Sequence, residues 1–176
     1  MMANITTLAA LDTFAAVCAE KFQTRMSQTG LLTVYLKGDL GSGKTTFSQH
    51  LLWHLGFSGK VKSPTYTLVE TYEMTSSSIN HFDLYRLDDP EELEYMGIRD
   101  YFVVPTRNSE FGEIQPPQLN IVEWPERGEH VLPQADLSLY FSFDGSHRTV
   151  TLVEATDTLA FDIAQTLQEH TDVAIQ

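Results

Sequence analysis

The 176-residue chain is poor in several features, and each scarcity narrows what the protein can be. It contains one cysteine, Cys18, so it forms no internal disulfide, and we expect this thiol to be a packing residue. No run of 18 or more apolar residues occurs, which argues against a membrane span. The first residues also lack the charged-then-apolar order of a secretory signal. Together these absences predict a cytoplasmic protein.

Positive charge is scarce as well. Eleven Lys and Arg residues stand against 24 Asp and Glu residues, which gives a formal net charge of −13. Binding to a polyanion needs clustered Lys and Arg. We therefore expect that this chain does not bind nucleic acid on its own, and that a partner protein holds any nucleic acid involved in its biology.

What the chain does contain is a phosphate-binding loop of the form G-x-x-x-x-G-K-[ST]. With one flanking residue it reads Gly38, Asp39, Leu40, Gly41, Ser42, Gly43, Lys44, Thr45, Thr46. A predicted buried strand over 31–36 precedes it, and a predicted helix over 46–55 follows it. Backbone N–H groups at such a turn bind phosphate oxygens, while Lys44 would reach the β- and γ-phosphates and Thr45 would ligate Mg²⁺. The alternative is a glycine-rich turn with one exposed lysine.

The remaining pattern predicts an α/β protein with a P-loop NTPase-like three-layer fold, in which antiparallel hairpins flank a partly parallel, mixed sheet. The length predicts one domain over 1–176. The expected strands are a hairpin over 67–74 and 79–83, a buried strand over 119–123 and a second hairpin over 137–143 and 149–153. The expected helices cover 8–27 and 156–169, and a further helix is capped by Asp88 or Asp89, with Pro90 at its first position and Gly97 at its end. We also expect a loop over 59–66, a mobile surface loop over 103–118 and a flexible tail over 171–176.

Two predicted strands end in an acid, as a magnesium-dependent NTPase requires. These acids are Asp83 and Glu123, and one would hold the metal while the other orients water or acts as a base. The alternative for each is a strand-end acid that faces solvent. Hydroxyls in Ser63-Pro64-Thr65 predict a loop that senses the γ-phosphate, or else a plain turn.

Other polar and aromatic residues leave two interpretations open. Arg86 and Arg99 either reach a phosphate or pair with the many acids. Trp124 either stacks beside the site or is buried in the core. We expect His81 to be a paired structural histidine, because no second His or Cys stands at metal-ligand spacing.

These residues resemble the TsaE (YjeE) family, bacterial ATPases needed to make threonylcarbamoyladenosine in tRNA. The strings that carry the resemblance cover 38–46, 61–70, 81–87, 89–102 and 122–128. It implies an ATPase that docks on a TsaD–TsaB pair and resets that complex between turnovers. By matching positions, Thr45 and Glu123 would hold Mg²⁺, and the catalytic group would comprise Asp83, Lys44, Thr65 and Trp124.

Two stretches depart from the family pattern. The segment Thr7-Leu8-Ala9-Ala10 replaces a string that shapes the adenine side in the family, so we carry no base contacts over. The connection over 103–118 is longer than usual, which bears on partner docking.

Two other functions share the phosphate loop. A small-molecule or nucleotide kinase needs an arginine-rich lid, whereas the six arginines here are scattered. A GTP-binding switch ranks lower, since no Asn-Lys-x-Asp string is present to read guanine.

Overall fold

The computed structural model describes residues 1–105, 115–128, 130–154 and 158–175, and these form one seven-stranded sheet with helices on both faces. The strands are β1 Met2–Asn4, β2 Leu31–Lys37, β3 Val69–Glu73, β4 Ser78–Asp83, β5 Gln118–Glu123, β6 Leu137–Phe143 and β7 Arg148–Glu154. The helices are α1 Leu8–Thr29, α2 Lys44–His54, α3 Glu91–Tyr95 and α4 Leu159–Leu167, with 3₁₀ turns at Ile98–Phe102 and Pro125–Gly128. No helix in these ranges is both long and apolar enough to cross a membrane.

The strand order is β1-β7-β6-β2-β5-β4-β3. Strands β6, β2, β5 and β4 run parallel, whereas β3, β7 and β1 pair antiparallel at the two edges. The predicted α/β fold with a mixed sheet and two hairpins is therefore confirmed. Because the central strands are parallel, the carboxyl ends of β2, β4 and β5 meet at one edge, where Glu123 lies opposite both Leu36 and Asp83.

Alternate residues of the central strands enter two separate cores. On β5, Leu119 and Ile121 pack in the larger core under α1, α2 and α4, whereas Val122 packs in a smaller core with α3 and the first 3₁₀ turn. This two-residue period is the reason the layers form on both faces. Cys18 is fully buried in the larger core, as its predicted packing role requires.

Several boundaries differ from the predicted ones. Strand β1 was not anticipated; it pairs with β7, and residues 173–175 of the predicted flexible tail lie against it through the hydrogen bond from Asn4 N to Ala174 O (2.8 Å). Pro90 lies at the N-cap of α3 instead of its first turn, and Asp89 Oδ1 accepts from Glu91 N (2.9 Å). Strand β5 already begins at 118, and residues 106–114 of the predicted surface loop lie outside the described residues. The same holds for 156–157 of the predicted last helix and for residue 176.

Candidate functional site

The phosphate loop connects β2 to α2 through backbone conformations that suit glycine. Gly38, Gly41 and Gly43 have φ angles of 126°, 79° and 113°. A Cβ atom at Gly38 would lie 2.1 Å from the carbonyl oxygen of Phe141, so a side chain there requires the backbone to move. Gly43 is the N-cap of α2, whose first unpaired N–H groups therefore face the site.

Lys44 is held inside the site. It is 4% exposed, and its Nζ donates to the carbonyl oxygens of Gly38 (2.6 Å) and Asp39 (2.9 Å). The ammonium also lies 4.0 Å from the ring centroid of Trp124. Burial lowers the pKa of Lys44, and the charge of Glu123 is the largest influence opposing that shift. The alternative of an exposed lysine on a glycine-rich turn is therefore wrong.

Glu123 connects three elements at the carboxyl edge of the sheet. It is 1% exposed, and its Oε2 accepts from Thr45 Oγ1 at 3.0 Å. Its Oε1 lies 2.9 Å from His81 Nε2 and accepts from Ser48 Oγ at 3.3 Å. The carboxylate therefore contacts α2 and β4 at once, and it does not face solvent.

Asp83 lies next to Glu123 but binds a different group of donors. It is 4% exposed, and its Oδ2 accepts from Thr65 Oγ1 (2.6 Å) and Ser63 Oγ (3.4 Å). Its Oδ1 accepts from the backbone N–H of Tyr85 (3.1 Å). The predicted sensing loop is therefore joined to the second acid of the site through its two hydroxyls.

Trp124 lies at the mouth of the site in an unusual backbone conformation. Its φ angle is 58°, a left-handed value that a bulky residue seldom adopts, and it directly follows Glu123. Its half-buried ring lies 5.0 Å from that of Tyr85. Backbone strain of this kind concentrates at functional sites, which favours the interpretation in which the indole lies beside the site.

These groups surround two adjoining cavities. The first has a volume of about 260 Å³ and is lined by Leu40, Gly41, Gly43, Lys44, Thr45, Thr46, Thr65, Asp83, Tyr85, Glu123 and Trp124. The second, of about 290 Å³, is lined by Ile5, Thr6, Thr7, Leu8, Leu11, Gly41, Gly43, Thr46 and Arg148. Gly41, Gly43 and Thr46 border both cavities, so the two cavities meet at the phosphate loop.

The donor set fits a hydrated Mg²⁺ ion bound together with phosphates. Among the described residues, no group of three or more His, Cys, Asp or Glu is arranged to hold a metal by itself. Mg²⁺ is commonly bound by one or two protein oxygens plus substrate phosphates and water. The Thr45 hydroxyl and the Glu123 carboxylate, 3.0 Å apart, supply such a pair of oxygens.

Neither Arg86 nor Arg99, for which phosphate binding was one of two interpretations, lines the first cavity. Arg86 stacks on Tyr66, with its Cζ 4.3 Å from the ring centroid. Arg99 pairs with Glu94 through an Nε–Oε2 hydrogen bond of 2.9 Å. Arg99 therefore pairs with an acid, as the second interpretation has it, whereas Arg86 contacts a tyrosine.

Sequence reasoning missed two residues of the site, Ser48 and Tyr85. Ser48 lies three residues after Thr45 on the same face of α2, and this helical spacing was a signal that pointed to it. Tyr85 follows Asp83 by two residues, but the turn that brings its ring to Trp124 leaves no pattern in the sequence. The prediction that His81 is a paired structural histidine is confirmed, and the structure adds that it is fully buried.

Comparison with known proteins gives a consistent result. The family model described as threonylcarbamoyl adenosine biosynthesis protein TsaE matches residues 5–151. The tRNA threonylcarbamoyladenosine biosynthesis protein TsaE of Haemophilus influenzae is 46% identical over 126 residues, which is 72% of each chain. The Synechocystis protein of the same name is 41% identical over 101 residues, 57% of this chain and 56% of that one.

A solved structure shares the fold. The crystal structure of YdiB from Bacillus subtilis superposes with a TM-score of 0.64 at 21% identity, covering 97% of this chain and 95% of that one. At this identity the likeness concerns the fold alone. The family match and the close relative go further: the chain belongs to the TsaE family, proteins of tRNA threonylcarbamoyladenosine biosynthesis.

Proposed function

We propose that this protein is a Mg²⁺-dependent ATPase that acts in tRNA threonylcarbamoyladenosine formation. It hydrolyses ATP when docked on a TsaD–TsaB complex and so resets that complex between turnovers in the cytoplasm. The observation that carries the proposal is the convergence of Lys44, Thr45, Asp83 and Glu123 on one cavity beside a phosphate loop.

The geometry of the loop supports phosphate binding. The N–H groups at the start of α2 and the Lys44 ammonium offer positive charge to the β- and γ-phosphates. The Lys44 ammonium donates to two loop carbonyls, which hold it at the edge of the cavity. The Ser42 hydroxyl of the same loop is buried and has no hydrogen-bond partner among the described residues, so it is free to donate to a bound anion.

Hydrolysis is assigned to the acids and the sensing loop. Thr45 and Glu123 would hold Mg²⁺, which supplies positive charge against the phosphate oxygens when bound. Asp83, next to Glu123 in register, orients the attacking water and accepts its proton. Thr65 holds the Asp83 carboxylate, and Trp124 closes the Lys44 side of the cavity.

The second cavity supports a nucleotide over a simple phosphate. It adjoins the loop and has apolar side chains, Leu8 and Leu11, at the start of α1. A purine ring needs such a surface, whereas inorganic phosphate does not. No guanine-reading string is present, which favours ATP.

The decisive experiment is a titration of ATPase rate with purified TsaD–TsaB complex. We expect slow hydrolysis by the isolated protein and a rate that rises and saturates with the complex, because the sensing loop and cavity are then completed by a partner. Fast turnover that ignores the complex contradicts the proposal. A phosphorylated small molecule formed from ATP would instead support the kinase alternative.

Replacement of Lys44 tests the binding step. Lys44→Ala deletes the ammonium over the phosphates, and we expect ADP and ATP affinity to fall by roughly 100-fold or more, since charged hydrogen bonds to phosphate contribute about 1.5–3 kcal/mol each. Calorimetric titration measures this change. Lys37→Ala is the matched control, because that ammonium lies over Tyr140 and outside both cavities. Equal affinities for the two variants would exclude the assigned role of Lys44.

A further inference from the structure

The two carboxylate oxygens of Glu123 have different surroundings. Oε2 faces Thr45 at the edge of the first cavity, whereas Oε1 points into the protein and meets His81 and Ser48. Both of these inner residues are fully buried. One oxygen is thus available to the site while the other is held by the protein.

His81 lies where the sheet register places it under the acids. It is two residues before Asp83 on β4 and pairs with Ile121, two residues before Glu123 on β5. Residues two apart on a strand share a face. The imidazole therefore lies one layer below the two acids, on the face of the sheet where Ile79 and Ile121 pack in the larger core.

The hydrogen bond to Glu123 explains why a polar imidazole is buried at this position. Its Nδ1 has no hydrogen-bond partner among the described residues, and Nε2 lies 2.9 Å from Oε1. A buried ring in an apolar layer costs free energy unless its polar atoms are used. Since a carboxylate accepts, the ring hydrogen is assigned to Nε2.

We propose that His81 is a positioning residue, which fixes Glu123 Oε1 so that Oε2 stays directed at Thr45 and the Mg²⁺–phosphate region. The inference rests on the proposed function of the same site. The terminal torsion of a glutamate is broad and roughly two-fold, so an unrestrained carboxylate samples many orientations. Donors from His81 and Ser48 on the same oxygen remove that freedom, and outer hydrogen bonds of this kind orient metal ligands generally.

A purely structural role of His81 predicts a different result from a positioning role, and two substitutions distinguish the two roles. His81→Gln keeps an N–H donor at a reach similar to that of Nε2. His81→Leu keeps apolar volume but deletes the donor. If His81 only fills the core, Leu should be tolerated at least as well as Gln; if it positions Glu123, Gln should restore what Leu loses.

The first readout is the Mg²⁺ dependence of ADP affinity, measured by calorimetry with MgCl₂ or EDTA. For His81→Leu we expect ADP affinity in EDTA to stay within about twofold of wild type. The MgCl₂ concentration required to enhance ADP affinity should rise by roughly 10–100-fold. His81→Gln should recover most of the enhancement. Asn80→Ala is the matched control, because Asn80 is a buried polar residue of β4 that bonds Asn120 instead.

The second readout is the ATPase rate with TsaD–TsaB, with wild type in parallel. If wild type shows no Mg²⁺-dependent ATP hydrolysis, the proposed function is contradicted. The ADP titration would still test the role of His81 in that case. Active wild type together with wild-type Mg²⁺ dependence in His81→Leu, or equal losses in the Leu and Gln variants, would overturn the positioning role. Should His81→Leu fail to fold in thermal melts, His81→Asn replaces it, because its shorter amide does not reach Oε1 and must show the same loss.

Discussion

Among single residues, Asp83 and Glu123 show how neighbouring acids acquire different environments. They lie side by side in the register of two parallel strands, and both are buried. Glu123 contacts the hydroxyl of Thr45 at the start of α2, whereas Asp83 contacts the hydroxyls of the loop over 61–68. The first environment suits a metal ligand beside phosphates, and the second suits a group that orients water.

Separate replacement of the two acids tests this division. Glu123→Ala should leave the fold and metal-free ADP binding intact but abolish Mg²⁺-dependent hydrolysis, because it removes the proposed metal ligand. Asp83→Asn should retain the Mg²⁺ enhancement of ADP affinity and lower kcat by about 10²–10⁴-fold, the usual contribution of a general base. ATPase rates and ADP titrations on both variants test which acid has which role. If hydrolysis survives Glu123→Ala and is lost only on replacement of Asp83, the two roles are reversed.

At the scale of elements, the loop between α2 and β3 contacts the second acid of the site through two hydroxyls, those of Ser63 and Thr65. Thr65 donates to Asp83 at 2.6 Å, whereas the exposed Thr67, two residues later, donates to Glu70 Oε1 at 3.0 Å. The loop therefore carries two threonines of similar chemistry and different surroundings. Such a pair allows a matched test of the predicted sensing function.

Thr65→Val should lower kcat by roughly tenfold while ADP affinity changes little, since it deletes one hydrogen bond to a charged group but no phosphate contact. Thr67→Val should leave kcat and ADP affinity within about twofold of wild type, because the Thr67 hydroxyl donates to Glu70 and does not contact the site. Steady-state ATPase kinetics with TsaD–TsaB measure the difference. Equal effects of the two substitutions would argue against a specific coupling between Thr65 and Asp83.

Helices α1 and α2 share a polar contact near the surface. Asp12 Oδ1 lies 2.6 Å from His50 Nδ1 and 2.9 Å from His54 Nε2. The hydrogen bond from His50 is the main reason that the pKa of Asp12 lies below its ordinary value of 3.8; desolvation opposes the shift, and His54 adds to it. A lowered pKa in the folded state means that this stabilisation is present above pH 3.8 and is lost as the pH falls through the lowered value.

Asp12→Asn should therefore reduce the melting temperature at pH 7 by about 1–3 °C, a small change because the carboxylate is half exposed and exposed pairs contribute below about 1 kcal/mol. The difference from wild type should narrow as the pH is lowered below 3.8, which thermal unfolding across pH 2–7 measures. Glu169→Gln, at an exposed position after α4, removes the same charge as a control. A difference that is constant with pH would show that Asp12 does not act through its charge.

The elements also show how far sequence reasoning reaches. Strand β2, the glycine loop and α2 were predictable because their pattern is local: an apolar run, left-handed glycines and helical periodicity. Strand β1 was not, because its three residues carry no alternation and become a strand through pairing with β7. The bond from His81 to Glu123 depends on the register between β4 and β5, which no local pattern encodes.

At the scale of the whole molecule, the negative net charge disfavours direct contact between this protein and tRNA. The chain carries −13 overall, and several of its few cations are already engaged: Lys44 is buried, Arg99 pairs with Glu94, and Arg148 stacks on Phe143. Neutralising a tRNA backbone requires several accessible cations on one surface. The isolated protein therefore has an electrostatic cost, not a gain, when it approaches tRNA.

We accordingly expect the isolated protein to bind tRNA more weakly than about 10⁻⁴ M at physiological salt, below even typical non-specific affinities of nucleic-acid-binding proteins. Fluorescence anisotropy with labelled tRNA measures this, with the TsaD–TsaB complex as the positive control. Association of the protein with tRNA should appear only when that complex is present, because we expect the partner proteins to hold the tRNA. Tight binding by the isolated chain that weakens steeply with added salt would contradict this, and would place the tRNA contact on the chain itself.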